Sequence, residues 1–297
     1  MKIVLTGSLG HINRVLVPQL VSAGHTVTVI SHRTDRAQAI RDLGATPAIG
    51  SIDDKPFLTQ TFQGADAVYL MITSATSGND LFAAGRQQAQ LYADAVRAAG
   101  VTQVVNLSSV GANLGPEVGS LHIYNVIEYT LTTELPGVNL TFIRPTAMFY
   151  NLFSNLGTLK HDHVFYTNNS LTKLTSWIAP ADIAPVIFQA LTVPEPGVTS
   201  QYVASDELTY TEISHLMAAA LHLPDLKLVQ ISDATMLTNL QAAGMPAEFA
   251  RQYVKTTAYE RDNDFYADYR AHQPVLGPSK LATFIQTDFQ TAFQATK

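Results

Sequence analysis

The sequence predicts an α/β fold in which a doubly wound parallel sheet is followed by a smaller, mainly helical C-terminal part. Three observations predict it. Short apolar runs recur along the first half of the chain. Helical patterns separate them, so each strand needs a crossover and the sheet is covered on both faces. A glycine turn also sits between the first run and the first helix, as Thr6-Gly-x-x-Gly10.

The elements follow in order. Ile3–Leu5 is the first strand, and helical periodicity begins at Ile12. Val27–Ile30 is the second strand, and a polar helix from Thr34 to Leu43 stops at Gly44. Ala48–Ile49 is the third strand, Phe57–Phe62 a helix and Ala67–Ile72 the fourth strand. A long helix from Asp80 to Ala99 ends at Gly100, and Val104–Leu107 is the fifth strand. Glu128–Glu134 belongs to a helix closed by Pro136-Gly137, and Leu140–Ile143 is the sixth strand. Right-handed crossovers turn this series into a Rossmann-type sheet over residues 1–150.

Residues 151–297 form the smaller part. Asn151–Ser176 shows no clear period. Strands near 174–179 and 200–204 are expected to return to the main sheet, with a helix starting after Asp182 between them. Beyond Thr211 the pattern is helical, with a capped start at Leu208-Thr-Tyr-Thr-Glu212 and further stretches at Met236–Leu240 and Ala247–Tyr253.

Composition narrows the function classes. The chain has 297 residues, 46% hydrophobic and 14% charged, which suits a large packed core and argues against wholesale disorder. A formal net charge of −6 gives no global support for binding a phosphate backbone, so no nucleic-acid partner is expected. There is no cysteine, which removes disulfides, thiolate catalysis and Cys-ligated zinc. No signal-like segment and no apolar run of about 18 residues is seen, so a cytoplasmic location without a membrane partner is expected.

Strand, glycine turn, helix is the arrangement that aims backbone N–H groups and a helix N-terminus at a pyrophosphate. The spacing here is Gly-x-x-Gly-x-x-Asn, so Asn13 stands where the fingerprint has a glycine that allows close helix–strand packing. Its side chain either bonds the pyrophosphate or a nearby loop, or simply sets the helix farther from the sheet. The second strand ends in Ser31, His32 and Arg33, where an NAD site places an acid for the ribose 2′-OH. A guanidinium there suits a 2′-phosphate, with Arg14 as a second contact, so NADP(H) is expected over NAD(H). Thr73 and Ser74 follow the fourth strand, and Ser108 and Ser109 the fifth. Their hydroxyls reach a ligand or cap turns. His161-Asp-His163 offers two imidazoles without a third ligand, so no metal is expected.

Thr6-Gly-x-x-Gly10, Arg33, Gly50-Ser-Ile-Asp53, Leu107-Ser-Ser-Val-Gly111, Ile143–Asn151, Pro180-Ala-Asp-Ile-Ala184 and Tyr202-Val-Ala-Ser-Asp206 occur in that order. Together they resemble the NmrA-like branch of the atypical short-chain dehydrogenases/reductases, over almost the whole chain. The resemblance implies an NAD(P)-binding domain and a smaller helical part. It also implies one of two roles, an NADPH-dependent quinone-type reductase or a sensor that binds the cofactor and catalyses nothing. On this basis Gly7, Leu9, Gly10, His11 and Ile12 are expected at the pyrophosphate, and Ser51 and Ile52 beside adenine. Thr73 and Ser108 are expected near the nicotinamide.

The Tyr-x-x-x-Lys dyad of short-chain dehydrogenases is not intact. Tyr124 has the tyrosine spacing, but Glu128 stands in the lysine position, and no lysine lies between Lys55 and Lys160. A carboxylate raises a phenol's pKa, opposite to what proton donation needs. Glu128 is expected to cover the helix surface. Tyr124, His122 and Ser108 remain the catalytic candidates, with turn or packing roles as the alternative for each. Phe149, Tyr150 and Phe153 are expected either to wall a flat apolar substrate or to fill the core. Arg144 is expected to fix local backbone rather than bind substrate. The leading reading is reduction of a small apolar carbonyl or quinone. A redox sensor acting through a protein partner or a homodimer is the rival, and a nucleotide-sugar epimerase ranks third.

Overall fold

The computed structural model describes residues 1–72 and 80–295. In order along the chain, β1 (Lys2–Leu5), α1 (Asn13–Ser22), β2 (Thr26–Ser31), α2 (Ala37–Asp42), β3 (Thr46–Ile49), α3 (Lys55–Phe62) and β4 (Ala67–Leu70) come first. They are followed by α4 (Leu81–Ala99), β5 (Gln103–Leu107), α5 (His122–Glu134) and β6 (Asn139–Pro145). Next are β7 (Ala147–Met148), α6 (Leu156–Asp162), β8 (Val164–Thr167), β9 (Thr175–Ile178), α7 (Pro180–Thr192) and β10 (Val198–Val203). The chain closes with β11 (Asp206–Leu208), α8 (Tyr210–Leu221), β12 (Lys227–Gln230), α9 (Asp233–Ala242), α10 (Ala247–Asp262), α11 (Ala267–Ala271), α12 (Leu281–Phe284) and α13 (Gln290–Ala295).

The chain divides into two compact units. The first comprises Met1–Ala112, His122–Pro145 and Ile183–Tyr202; the second comprises Asn113–Leu121, Thr146–Asp182 and Val203–Lys297. The first unit is built on a seven-stranded sheet of order β10-β6-β5-β4-β1-β2-β3. The β1, β2, β3, β4, β5 and β6 strands run parallel, with Ile3 opposite both Val27 and Ala67 and with Val104 opposite Val68 and Leu140. All four residues of β4 are buried, as expected of a strand covered on both faces. The chain winds outward from β1 through β2 to β3, then returns to the other side of β1 at β4. The switch point therefore lies at the carboxyl ends of β1 and β4, the place where open α/β sheets leave a crevice.

The second unit has two small sheets, β11-β9-β7 and β12-β8, and its own apolar cluster around Phe165, Trp177, Met217 and Phe289. Its α8 starts on a full capping box, in which Thr209 Oγ1 accepts from the Glu212 amide at 3.1 Å and Glu212 Oε2 accepts from the Thr209 amide at 2.8 Å. No helix among the described residues is long and apolar enough to cross a membrane.

Three sequence expectations change. The strand near 174–179 does not return to the main sheet, because β9 pairs with β7 and β11, whereas β10 does join it. The helix expected at Glu128–Glu134 begins at His122, since the half-buried polar residues of its first turn hid the period. The aperiodic stretch from Asn151 holds α6 and β8, elements too short to show a pattern.

Gly119 marks the tightest backbone approach in the second unit. Its φ is +73°, and a Cβ there would lie 2.3 Å from the Gln252 carbonyl oxygen and 2.8 Å from the Thr256 nitrogen. Gly119→Ala is expected to lower stability by roughly 1–3 kcal/mol from backbone strain alone, with the steric conflict adding to it. Urea unfolding measures this, and an unchanged midpoint would contradict the packing.

Candidate functional site

The turn after β1 is the most constrained feature of the first unit. Gly7 has φ +86°, a conformation that favours glycine. Ser8 also lies in the left-handed region, at φ +52°. Asn13 explains how that strain is held. Its Nδ2 donates to the carbonyls of Thr6 at 2.8 Å and Ser8 at 2.7 Å. In a trans peptide the N–H points opposite to the C=O. Fixing these two carbonyls toward Asn13 therefore turns the Gly7 and Leu9 N–H groups away from it. Asn13 is 2% exposed, so its amide fills the space a glycine would leave between helix and strand. The brace is a role that spacing alone left open.

The start of α1 completes an anion-binding geometry. Ile12 is its N-cap and makes no side-chain cap, and no acidic residue lies in the first turn. The helix end thus keeps its positive character for a ligand. Leu9 and Ile12 are buried, Gly10 is half-buried, and His11 is exposed. Arg14 is exposed and anchors the loop through Nε to the Leu9 carbonyl at 3.0 Å.

The end of β2 is tied to this turn. Ser8 Oγ donates to Ser31 Oγ at 2.9 Å, and the Arg33 amide donates to Ser31 Oγ at 3.2 Å. The Arg33 guanidinium is paired with Asp35, through Nε to Oδ1 at 3.0 Å and Nη2 to Oδ2. This partner was not foreseen, although an acid two residues away was visible in the sequence. After β3, the Asp53 amide donates to Ser51 Oγ at 3.1 Å, and Gln88 Nε2 holds the Ile52 carbonyl at 3.0 Å. Thr73 lies outside the described residues.

The end of β5 corrects the expectation for Glu128. It is 9% exposed and does not cover the helix surface. Its carboxylate accepts from Ser108 Oγ at 2.5 Å and from Arg144 Nε at 3.0 Å and Nη2 at 2.6 Å. Arg144 Nη1 donates in turn to the Tyr202 hydroxyl at 3.1 Å, with the guanidinium carbon 5.4 Å from the centre of that ring. Burial pulls the Arg144 pKa down, but hydrogen bonds and charge from Glu128 and Tyr202 outweigh it and the net shift is upward. Ser108 spends its proton on Glu128, so its oxygen can accept a hydrogen bond from a ligand but has no proton to give a substrate carbonyl. The sequence hid this constellation because its members lie just after β5 and on α5, β6 and β10.

Tyr124 and His122 are half-buried in the first turns of α5. The His122 ring meets Phe82 edge-on at 5.4 Å. In the second unit, Phe149 is 2% exposed and belongs to the core. Phe153 stacks on Phe289 at 5.8 Å. Tyr150 is half-buried, and burial raises its pKa, so the phenol keeps its proton at neutral pH. His161 lies within α6, and His163 is the left-handed residue that ends that helix. The His163 Nδ1 lies 2.9 Å from Asp225 Oδ2. Among the described residues, no group of three or more His, Cys, Asp or Glu side chains is placed to hold a metal.

Comparison with known proteins agrees with this geometry. A family model described as NAD(P)H-binding matches residues 7–194. A (4-alkanoyl-5-oxo-2,5-dihydrofuran-3-yl)methyl phosphate reductase of Streptomyces griseus is 26% identical over 190 residues, covering 64% of this chain. The matched stretch spans 63% of that relative's length, under two thirds. The fold is similar to an NADPH-dependent quinone oxidoreductase of Escherichia coli complexed with NADPH, with TM-score 0.77 and 18% identity, covering 97% of this chain and 99% of that one. It is likewise similar to a nucleoside-diphosphate-sugar epimerase of Staphylococcus aureus, with TM-score 0.76 and 16% identity, covering 96% of this chain and 100% of that one.

Glu128 and Arg144 side chains are each 11% exposed. Removing one partner strands a buried charge, so Glu128→Ala is expected to cost about 3–5 kcal/mol in urea unfolding. Replacing both with apolar side chains of similar volume is expected to recover most of that loss. A Glu128→Ala variant as stable as the parent would contradict the network.

Proposed function

Because the chain belongs to the NAD(P)H-binding family, we propose that it is an NADP(H)-dependent reductase acting on a small apolar carbonyl or quinone. The observation that carries this reading is the Asn13-braced glycine turn, linked through Ser8 and Ser31 to Arg33. Gly7, Leu9, Gly10, His11, Ile12 and the start of α1 would hold the pyrophosphate. Arg33, with Arg14, would hold the 2′-phosphate, and Ser51 and Ile52 would flank adenine. The left-handed Gly7 and the uncapped helix start fit such a group.

Bound NADPH supplies a hydride. The chain's own residues supply position and protons. Ser108 Oγ, its proton held by Glu128, would be left to accept a hydrogen bond from the nicotinamide half or the substrate. Tyr124 is the nearest candidate in the sequence pattern to hold or move a proton, at its Oη. It works without the lysine that would lower its pKa, so the fitting substrates are those, such as quinones, that accept hydride readily and take a proton from a hydroxyl or water. In the second unit Phe149 is committed to the core, whereas Tyr150 and Phe153 are each half-buried.

One observation favours a second reading. Glu128 stands in the lysine position of the dyad and is locked to Arg144, which suits a sensor that binds NADP(H) without turnover. Incubation with NADPH and a panel of quinones separates the two. The reductase reading predicts NADPH oxidation above the enzyme-free rate. Tight NADP⁺ binding with no oxidation and a changed assembly state would support the sensor instead. Arg33→Ala is expected to weaken NADPH by about tenfold to a hundredfold and NADH far less; equal losses would contradict the role given to Arg33.

A further inference from the structure

We propose that Asp35 is a specificity-determining residue that competes with the 2′-phosphate for the Arg33 guanidinium and so narrows the preference for NADP(H) over NAD(H). The proposal rests on the reading of Arg33 as the 2′-phosphate contact. Three observations carry it. First, the Arg33 backbone leaves β2 extended, at φ −101° and ψ 116°, and its amide is fixed by Ser31, which Ser8 joins to the glycine turn. The base of the side chain therefore has a defined place at the ligand edge. Second, the planar Nε and Nη2 edge, the one a phosphate oxygen pair would take, faces the Asp35 carboxylate with two parallel hydrogen bonds. Third, Asp35 lies in the short 3₁₀ turn Thr34–Arg36, so it cannot move far from Arg33.

The pair is exposed, with side chains 52% and 60% accessible, so it exchanges partners readily. The hydrogen bonds from Arg33, helped by its charge and that of Arg36, outweigh the opposing effect of burial and hold the Asp35 carboxyl below its usual range, so the competitor is ionised at neutral pH. A dianionic 2′-phosphate must displace this carboxylate, or bind the remaining guanidinium edge within reach of its repulsion. A cofactor with a free 2′-OH meets neither cost and can donate to the same carboxylate.

The fragments 2′,5′-ADP and 5′-AMP isolate this end of the cofactor. Calorimetric titration of the full chain at low salt compares the parent with Asp35→Asn, Arg33→Ala and the double variant. Asp35→Asn keeps volume and removes charge. It is expected to tighten 2′,5′-ADP by about tenfold relative to 5′-AMP. The gain should shrink at high salt and vanish in the double variant. If Asp35→Asn leaves the ratio unchanged while Arg33→Ala lowers it, Asp35 does not compete and the proposal is overturned. If Arg33→Ala itself leaves the ratio unchanged, the reading of Arg33 falls, and the proposal with it.

Discussion

The hydrogen bonds from the Asn13 amide to the Thr6 and Ser8 carbonyls are the constraint on which the binding edge depends. They do three things at once. They hold two consecutive left-handed residues, Gly7 and Ser8, in place. They turn the Gly7 and Leu9 N–H groups outward, through the planarity of the peptide. They also keep Ser8 where its hydroxyl meets Ser31, which in turn fixes Arg33. A glycine at position 13 would allow the helix to approach the strand but would brace nothing. This chain reaches a similar turn by filling the gap instead of closing it.

Two ion pairs at the same edge of the sheet have opposite characters. Glu128 and Arg144 are buried, bidentate and joined by Ser108 and Tyr202, so every charge is matched and neither partner is available for other chemistry. Arg33 and Asp35 are exposed, and their association in water is weak enough to be exchanged. The first pair explains how the lysine position of the dyad can carry an acid without leaving an unpaired carboxylate beside Tyr124. The second, under the proposed reading of Arg33, leaves the 2′-phosphate contact adjustable.

Much of this was legible in the sequence. The first six strands were readable because short apolar runs, some broken by a single polar residue such as Thr28, Asn106 or Thr141, recur between helical patterns, and the glycine turn because Gly7 and Gly10 sit between a strand and a helix period. Thr209 announced its helix by capping chemistry that acts within four residues. What escaped was non-local. Glu128 looks like a surface residue until Arg144, on the strand after its helix, is folded beneath it. Trp177 and its neighbours read as a strand, but nothing local says which sheet they join. The role of Asn13, for its part, stayed open between a hydrogen bond and a spacer, because its partners are backbone carbonyls, which no sequence pattern displays.

A crystal structure of the chain with NADP⁺ bound tests the central claim most directly. The account predicts the pyrophosphate against the Gly7–Asn13 turn and the start of α1, with the 2′-phosphate within hydrogen-bonding distance of Arg33. A cofactor whose phosphates lie elsewhere, or whose 2′-phosphate points away from Arg33, would contradict it.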